Sequence, residues 1–289
     1  MELKSTFLLM IGLGMASCHW FDPTDIEDAA RERPHIFVHA VMGEDSTFCS
    51  ISSVSSGGVN TEEEVQACVT LAGASESLGT TCESGASEAM GFWLPTSGLT
   101  MNPEQPLSLM ITSDIWGDMR ATSRVPAAPT WSTLHLSSRA IQEGDKVFDE
   151  FELNLTRDED EGKWHLLQLL LQVDTVLAPP PTARNLRSDD PHVLVRKHGG
   201  PALDNALLVG NDGWVGLEWD LRFRVKNNLP QGIPHHYILV VHSISEELHA
   251  FWEDLEWARR NNGHDVRGNI EGGEGCFGLS EVRYELAFP

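Results

Sequence analysis

The sequence alternates apolar and polar residues most regularly in Val147-Phe148-Asp149-Glu150-Phe151-Glu152-Leu153-Asn154-Leu155. Successive side chains of an extended chain point to opposite faces, so the odd-numbered residues of this stretch share one face. Such alternation is typical of a β-strand with one buried face and one solvated face. The stretch therefore predicts a strand, and similar patterns recur on both sides of it.

Short segments rich in Val, Ile, Phe and Thr precede this strand, and Gly, Ser, Asn and Pro turns separate them. Short strands without intervening helices predict an antiparallel β-sandwich. Pro126 and Pro129 would end this unit, because proline cannot donate to a strand ladder. We therefore expect an N-terminal β-sandwich of the immunoglobulin or transthyretin type at residues 34–128. Its predicted strands are 35–42, 48–54, 65–71, 89–94, 107–112 and 120–125.

A second β-rich unit is predicted at residues 129–289, which makes the chain mainly β with two sandwich-like units. The charged run 157–163 predicts a hairpin tip, since its acidic residues lack the spacing of a calcium loop. Residues 177–203 contain several proline turns and predict a long irregular loop, a kind of segment that is often functional. Further strands are predicted at 164–173, 214–225 and 237–243.

One amphipathic helix is expected at about residues 245–260. Ser243 and Glu246 have capping-box spacing, and Asn262-Gly263 supplies a stop. Apolar residues recur on one side of this helix, so we expect that side to cover a sheet. The predicted apolar face consists of Leu248, Phe251, Trp252 and Leu255.

The beginning of the chain has the features of an export signal, with an apolar run from Phe7 to Met15 that is too short to span a bilayer. Leu13-Gly14-Met15-Ala16-Ser17-Cys18 resembles a bacterial lipobox. This resemblance implies a lipoprotein signal peptide at residues 1–17 and acylation of Cys18, which would anchor the protein to a membrane. The alternative is an ordinary secretory signal with a cysteine near its cleavage site.

The residues after Cys18 favour the outer membrane, because His19-Trp20 lack the aspartate that retains lipoproteins in the inner membrane of the best-known bacteria. Residues 18–33 are polar and acidic and predict a lipidated tether. Asp22 and Asp25 resemble the surface-export signal of Bacteroidota lipoproteins, which implies a protein that faces outward.

The formal net charge of -23 argues against nucleic acid and anionic lipid surfaces as partners, because both would be repelled. An exported chain can form disulfides, and we expect a bridge among Cys49, Cys68 and Cys82, with the pairing left open. Zinc ligation is disfavoured, because the cysteines lack Cys-x-x-Cys spacing.

The segment Asn269-Ile270-Glu271-Gly272-Gly273-Glu274-Gly275-Cys276-Phe277-Gly278 follows a strand and an aromatic helix. Together with the lipobox and residues 64–71 and 121–126, it resembles the Bacteroidota outer-membrane lipoprotein family known as domain of unknown function 4249. The chain departs from the family pattern at Gln66 and Cys276. Family members look like neighbours of TonB-dependent transporters, so the resemblance implies an accessory of such a transporter barrel.

Five glycines lie between residues 268 and 278. They allow positive φ angles and close backbone approach, as a bulged or tightly turning final strand would need. Phosphate binding is disfavoured, because Glu271 and Glu274 would repel it and P-loop spacing is absent.

Catalytic motifs such as Gly-x-Ser-x-Gly, His-Glu-x-x-His and the Walker sequence are missing from the chain. His35 and His39 are predicted on one strand face, and the neighbours His235 and His236 on opposite faces, so structural roles are favoured over chelation. Carboxylates are too numerous for the sequence to nominate a catalytic pair. We expect no catalytic residue, no cofactor and no metal.

Nine tryptophans are present, and Trp can stack on sugar rings or anchor interfaces. We expect most of them in cores, and exposure of several on one rim would favour a binding surface. Three functions stay open. The first is a non-enzymatic accessory lipoprotein of the outer membrane that either binds a nutrient, such as a glycan or peptide, or docks on a TonB-dependent transporter barrel. The others are a surface hydrolase of glycans or peptides, with its site in the 177–203 loop, and a structural or adhesive protein.

Overall fold

The computed structural model describes residues 34–42, 45–53, 64–73, 77–86, 90–96, 102–157, 164–174, 181–190, 193–195, 206–210, 218–229, 233–260, 266 and 268–287. The predicted signal peptide, Cys18 and tether lie outside these residues, as do Trp214, the acidic run 158–161 and Asn262-Gly263.

The described residues form seventeen strands and a single helix, so the prediction of a mainly β protein is confirmed. The first seven strands are β1 (Pro34–Val41), β2 (Ser46–Ser53), β3 (Glu64–Ala72), β4 (Ser77–Ala86), β5 (Met90–Pro95), β6 (Pro106–Ser113) and β7 (Gly117–Arg124). Next come β8 (Trp131–Glu143), β9 (Lys146–Arg157), β10 (Trp164–Val173), β11 (Thr182–Ala183), β12 (Leu186–Arg187) and β13 (Val193–Val195). The last elements are β14 (Ala206–Gly210), β15 (Glu218–Lys226), β16 (His235–Ile244), helix α1 (Glu246–Arg260) and β17 (Glu274–Ala287).

The strands form one large sheet and two smaller ones. The large sheet has the order β13-β14-β10-β16-β17-β1-β2-β5, with β11 also paired to β10. The smaller sheets have the orders β4-β3-β6-β7 and β12-β15-β9-β8. Each small sheet packs its apolar face on a different half of the large sheet, which gives two separate hydrophobic cores. The arrangement is sandwich-like, as predicted.

Strand β17 belongs to both halves. Its first part pairs in parallel with β1, from His35 opposite Glu274 to Val41 opposite Ser280. Its second part pairs antiparallel with β16, beginning with Ile244 opposite Ser280. Phe277 is therefore buried in the N-terminal core, although it lies far beyond the predicted N-terminal unit at 34–128. This pairing joins residues that are distant in sequence, and no local pattern encodes it.

The glycine-rich segment has the structural role that the sequence predicted. Gly275 has a φ of +107°, and a Cβ there would overlap the carbonyl oxygen of Ile36 in β1. A Cβ at Gly278 would lie 2.5 Å from the Cβ of Leu248, so this glycine lets helix α1 approach the sheet. The close approach of the β1 backbone at Gly275 and of the Leu248 side chain at Gly278 explains why these two positions are glycines.

Helix α1 covers part of the outer face of the large sheet, and its predicted apolar side faces that sheet. Leu248 and Trp252 are buried against Cys276 and Ile244. The predicted cap at Ser243 is wrong, because Ser243 lies in β16 and is fully buried. The helix is capped by Ser245, whose Oγ accepts hydrogen bonds from the amides of Leu248 (3.4 Å) and Leu279 (3.2 Å). The cap thus also fastens the helix to β17.

Three further features refine the sequence analysis. Cys68 and Cys82 form a disulfide between opposing positions of β3 and β4, whereas Cys49 is a buried free thiol. Strand β4 escaped prediction, because its Ser, Thr and Gly residues resemble a loop composition. The prediction of a wholly irregular 177–203 loop is wrong, since β11, β12 and β13 lie within it.

We expect Gly275→Ala to lower the free energy of unfolding by at least about 3 kcal/mol, because its Cβ would collide with the β1 backbone and part β1 from β17. Gly117→Ala is the matched control, since Gly117 also has a positive φ (+75°) but has no neighbouring atom within 4 Å of the position that a Cβ would take. It should cost only about 1 kcal/mol. Equal losses for both variants in urea denaturation would contradict this account of β17.

Candidate functional site

An open groove of about 620 Å³ lies on the outer face of the large sheet, beside helix α1. Phe37 of β1 lies in the groove, and Ser50 and Ser52 of β2 line it on the sheet side. Phe251 and Leu255 line it on the helix side. The groove therefore presents apolar side chains and hydroxyl groups together.

Strand alternation and helix packing build this groove. Ile36 and Val38 point into the N-terminal core, so Phe37 between them points outward. The ring of Phe37 lies 5.7 Å from that of Phe251 and 5.6 Å from that of Trp252, centroid to centroid. These aromatic contacts hold the helix against β1 and fix the apolar wall of the groove.

Two ionisable side chains meet at one end of the groove. The Nδ1 atom of His35 lies 3.3 Å from a carboxylate oxygen of Glu274, its neighbour across the β1–β17 pairing. About half of each side chain is exposed, so both can exchange this contact for a ligand. The Ser50 hydroxyl donates to the carbonyl of Phe37 at 3.4 Å, which leaves its own oxygen able to accept.

An exposed aromatic pair continues the same sheet face. Phe48 of β2 and Trp93 of β5 are opposite one another, with ring centroids 5.2 Å apart, and they are 46% and 65% exposed. The Phe48 ring lies over Gly91, since a Cβ there would be 2.6 Å from its Cζ atom. Gly91 is directly opposite Ser50 of the groove. We call Phe48 and Trp93 the aromatic platform, and it adjoins the groove.

The other tryptophans divide between cores and surface. Of the seven described tryptophans, Trp131, Trp219 and Trp252 are buried, and Trp116 and Trp164 are half-buried against a core, so most pack in cores as predicted. Trp257 of helix α1 is 56% exposed. The sequence does not identify Trp93 as exposed, because Phe92, Trp93 and Leu94 are all apolar, and only the structure shows that Phe92 and Leu94 point inward.

The histidines named from the sequence serve several structural contacts. His39 shares the outward face of β1 with His35, and its Nε2 lies 2.8 Å from the hydroxyl of Ser280. His236 contacts Asp174 at 2.9 Å, whereas His235 contacts the carbonyl of Ile233. The two neighbouring histidines thus have different partners, in line with opposite faces. Among the described residues, no group of three or more His, Cys, Asp or Glu is arranged to hold a metal ion.

His39 and His242 form an imidazole pair in the large sheet, with ring centroids 6.2 Å apart, in which His242 is buried and His39 is half-buried. Burial lowers the pKa of His39 to about 4. Burial, followed by the charge of His39, lowers the pKa of His242 to about 3. Both rings are therefore neutral near neutral pH.

The free thiols are buried and protonated. Burial raises the pKa of Cys49 to about 12, and burial followed by the nearby Glu247 raises the pKa of Cys276. A thiol that stays protonated is a poor nucleophile. Cys276 instead packs beneath helix α1 as a small apolar residue.

A second cavity of about 280 Å³ lies beside β15. Two of the three arginines that line it form ion pairs, since Arg222 pairs with Glu152 at 3.1 Å and Arg224 pairs with Glu143 and Asp189. The lining as a whole contains three arginines and three carboxylates: Arg187, Arg222, Arg224, Glu150, Asp189 and Asp190. The cavity is therefore a charge-balanced surface depression.

In the part of the chain that the structure describes, no helix combines the length and the apolar character needed to cross a bilayer.

No family model and no characterised protein sequence matches the chain. Among solved structures, it is similar to the Fcho1 Mu homology domain of Danio rerio with bound Eps15 peptide. The two chains are 10% identical, with a TM-score of 0.20, and the match covers 89% of this chain and 96% of that one. A likeness this distant carries no argument about function.

We expect the free energy of unfolding to fall as the pH is lowered from about 7 to about 5. Unfolded histidines take up protons near their ordinary pKa of 6.5, whereas folded His242 resists protonation until about pH 3. From this difference, the contribution of His242 is a decrease of about 2 kcal/mol in the free energy of unfolding over that interval. His39, whose pKa is also lowered, adds a share of its own. His242→Gln should abolish the contribution of His242, whatever its effect on stability at neutral pH.

The measurement is urea denaturation at each pH, compared with His135→Gln as control, because His135 is an exposed histidine of β8. The control should keep the wild-type pH dependence. An unchanged pH dependence in His242→Gln would show that His242 is not held neutral by the fold.

Proposed function

We propose that this protein is a lipoprotein of the outer membrane, exposed at the cell surface, which acts without catalysis as an accessory of a TonB-dependent transporter and binds that transporter's ligand. The groove beside helix α1, with its adjoining aromatic platform, is the observation that carries the proposal. The lipobox at residues 13–18 and the family resemblance support the location and the transporter partner.

The groove suits a binding protein because rigid elements position its side chains. Phe37, Ser50 and Glu274 lie on three neighbouring strands of one sheet, and Phe251 lies on a helix that is capped onto that sheet. Side chains held this way lose little conformational entropy when a ligand binds, so ordering the site reduces the binding free energy only slightly.

The proposed anchor keeps the groove near the membrane. Pro34, the first residue of β1, lies sixteen positions after Cys18. Even a fully extended tether of that length reaches at most about 55 Å. His35, the next residue, lines the groove. A transporter barrel in the same membrane is therefore within reach of the binding face.

We expect Cys18→Ser to abolish acylation, because the thiol is the proposed site of lipid attachment. Cells grown with labelled palmitate should yield a labelled wild-type protein in the membrane fraction and an unlabelled variant. Cys49→Ser is the matched control, since it removes a buried thiol of the folded region and should keep the label. An unlabelled wild-type protein would instead support an ordinary secretory signal.

We expect a tagged chain to copurify with one TonB-dependent barrel from detergent-solubilised outer membranes of the native host. The tag follows Pro289, and the untagged strain is the control. Proteomics should find the barrel in near-equal amount with the bait. Recovery of the lipoprotein alone would refute a stable complex, and turnover of glycans or peptides by the purified protein would replace the accessory role with a hydrolase.

A further inference from the structure

We propose that the aromatic platform and the groove form one continuous binding site for a neutral oligosaccharide. This inference rests on the proposed function in one respect, because it names the ligand class of the same groove. It does not depend on the transporter partner.

The geometry makes the two parts one surface. Ser50 is directly opposite Gly91, and Trp93 lies two residues further along β5 on the same face. With strands about 4.8 Å apart and about 3.3 Å per residue, Trp93 lies roughly 8 Å from Ser50. A chain of several sugar rings is longer than this interval, so one extended ligand can contact both positions.

The chemistry of the surface matches the chemistry of a pyranose chain. A sugar ring has apolar C–H faces and a rim of hydroxyl groups. The exposed rings of Trp93 and Phe48 offer flat apolar area to such faces. In the groove, the hydroxyl of Ser52 and the ionisable groups of His35 and Glu274 offer donors and acceptors to the rim.

Charge and backbone geometry disfavour other ligands. The chain carries a net charge of -23, and Glu274 lines the groove, so an anionic glycan would be repelled. An extended peptide would bind β5 through its backbone edge. That edge is blocked, because Thr81 of β4 donates its hydroxyl hydrogen to the carbonyl of Trp93 at 3.3 Å and Pro95 has no amide hydrogen.

The test is calorimetric titration of the full chain with each of four sugars, which measures the Kd. The sugars are cellohexaose, mannohexaose, xylohexaose and maltohexaose. We expect at least one hexaose to bind, and Trp93→Ala to weaken its Kd by about tenfold or more. Ser50→Ala should weaken it by about threefold, as expected for one lost hydrogen bond. Trp257→Ala is the matched control, because Trp257 is also exposed but does not line the groove, and it should keep the wild-type Kd.

Trp93 is 65% exposed, so its replacement should keep the wild-type urea midpoint, which verifies folding. The proposal is overturned if no hexaose binds, if Trp93→Ala keeps the wild-type Kd, or if Trp257→Ala loses as much affinity. Binding of a tryptic casein digest in place of the sugars would assign the groove to peptides and also overturn it. If a barrel copurifies with the protein but no hexaose binds, the proposed function is supported and only the oligosaccharide inference is contradicted.

Discussion

The pairing of β17 with β1 is the constraint on which the rest of the structure depends. It brings residues 239 positions apart into register, as for His35 and Glu274. It is sterically allowed only because Gly275 has no side chain where the carbonyl of Ile36 approaches. Asn269 reinforces it, since its amide nitrogen donates to the carbonyls of Phe277 (2.9 Å) and Thr122 (3.2 Å) and so joins β17 to β7. Such long-range pairing carries a high loop-closure cost and predicts slow folding.

The same strand fixes the position of the helix. Ser245 exchanges hydrogen bonds with Leu279, donating its amide to that carbonyl at 2.9 Å and accepting from that amide at its hydroxyl. Helix α1 therefore begins on β17 and packs over Gly278 and Phe37. One contact at the cap thus decides which part of the sheet is covered.

The sequence predicted features that depend on local pattern, and it failed where distant segments meet. Segments rich in Val, Ile, Phe and Thr between turn residues, together with the period-two alternation at 147–155, located most strands, and helical spacing located α1 together with its buried face. The glycines of the final segment indicated close approach but could not say that β1 was the neighbour. The cap was assigned to Ser243 because a glutamate, Glu246, follows it at capping-box spacing. The structure instead places Ser243 in β16, and Ser245 caps the helix by accepting hydrogen bonds from the amides of Leu248 and Leu279. The groove is formed by β1, β2, β17 and α1 together, so no single sequence motif predicts it.

The candidate site follows from how little of the sheet the helix covers. Helix α1 packs on β17 and on Phe37 of β1, whereas the outer faces of β2 and β5 have only partial cover among the described residues. A strand face inside a sandwich would normally place apolar residues there only if a second layer buried them. Phe48 and Trp93 are large, apolar and exposed, so stability of the fold does not account for them. Among the described residues, five other large apolar side chains are exposed as well: Met110, Ile115, Val147, Trp257 and Tyr284. Phe48 and Trp93 differ from these because their rings contact each other and adjoin the groove, so this face is the best candidate for a binding function.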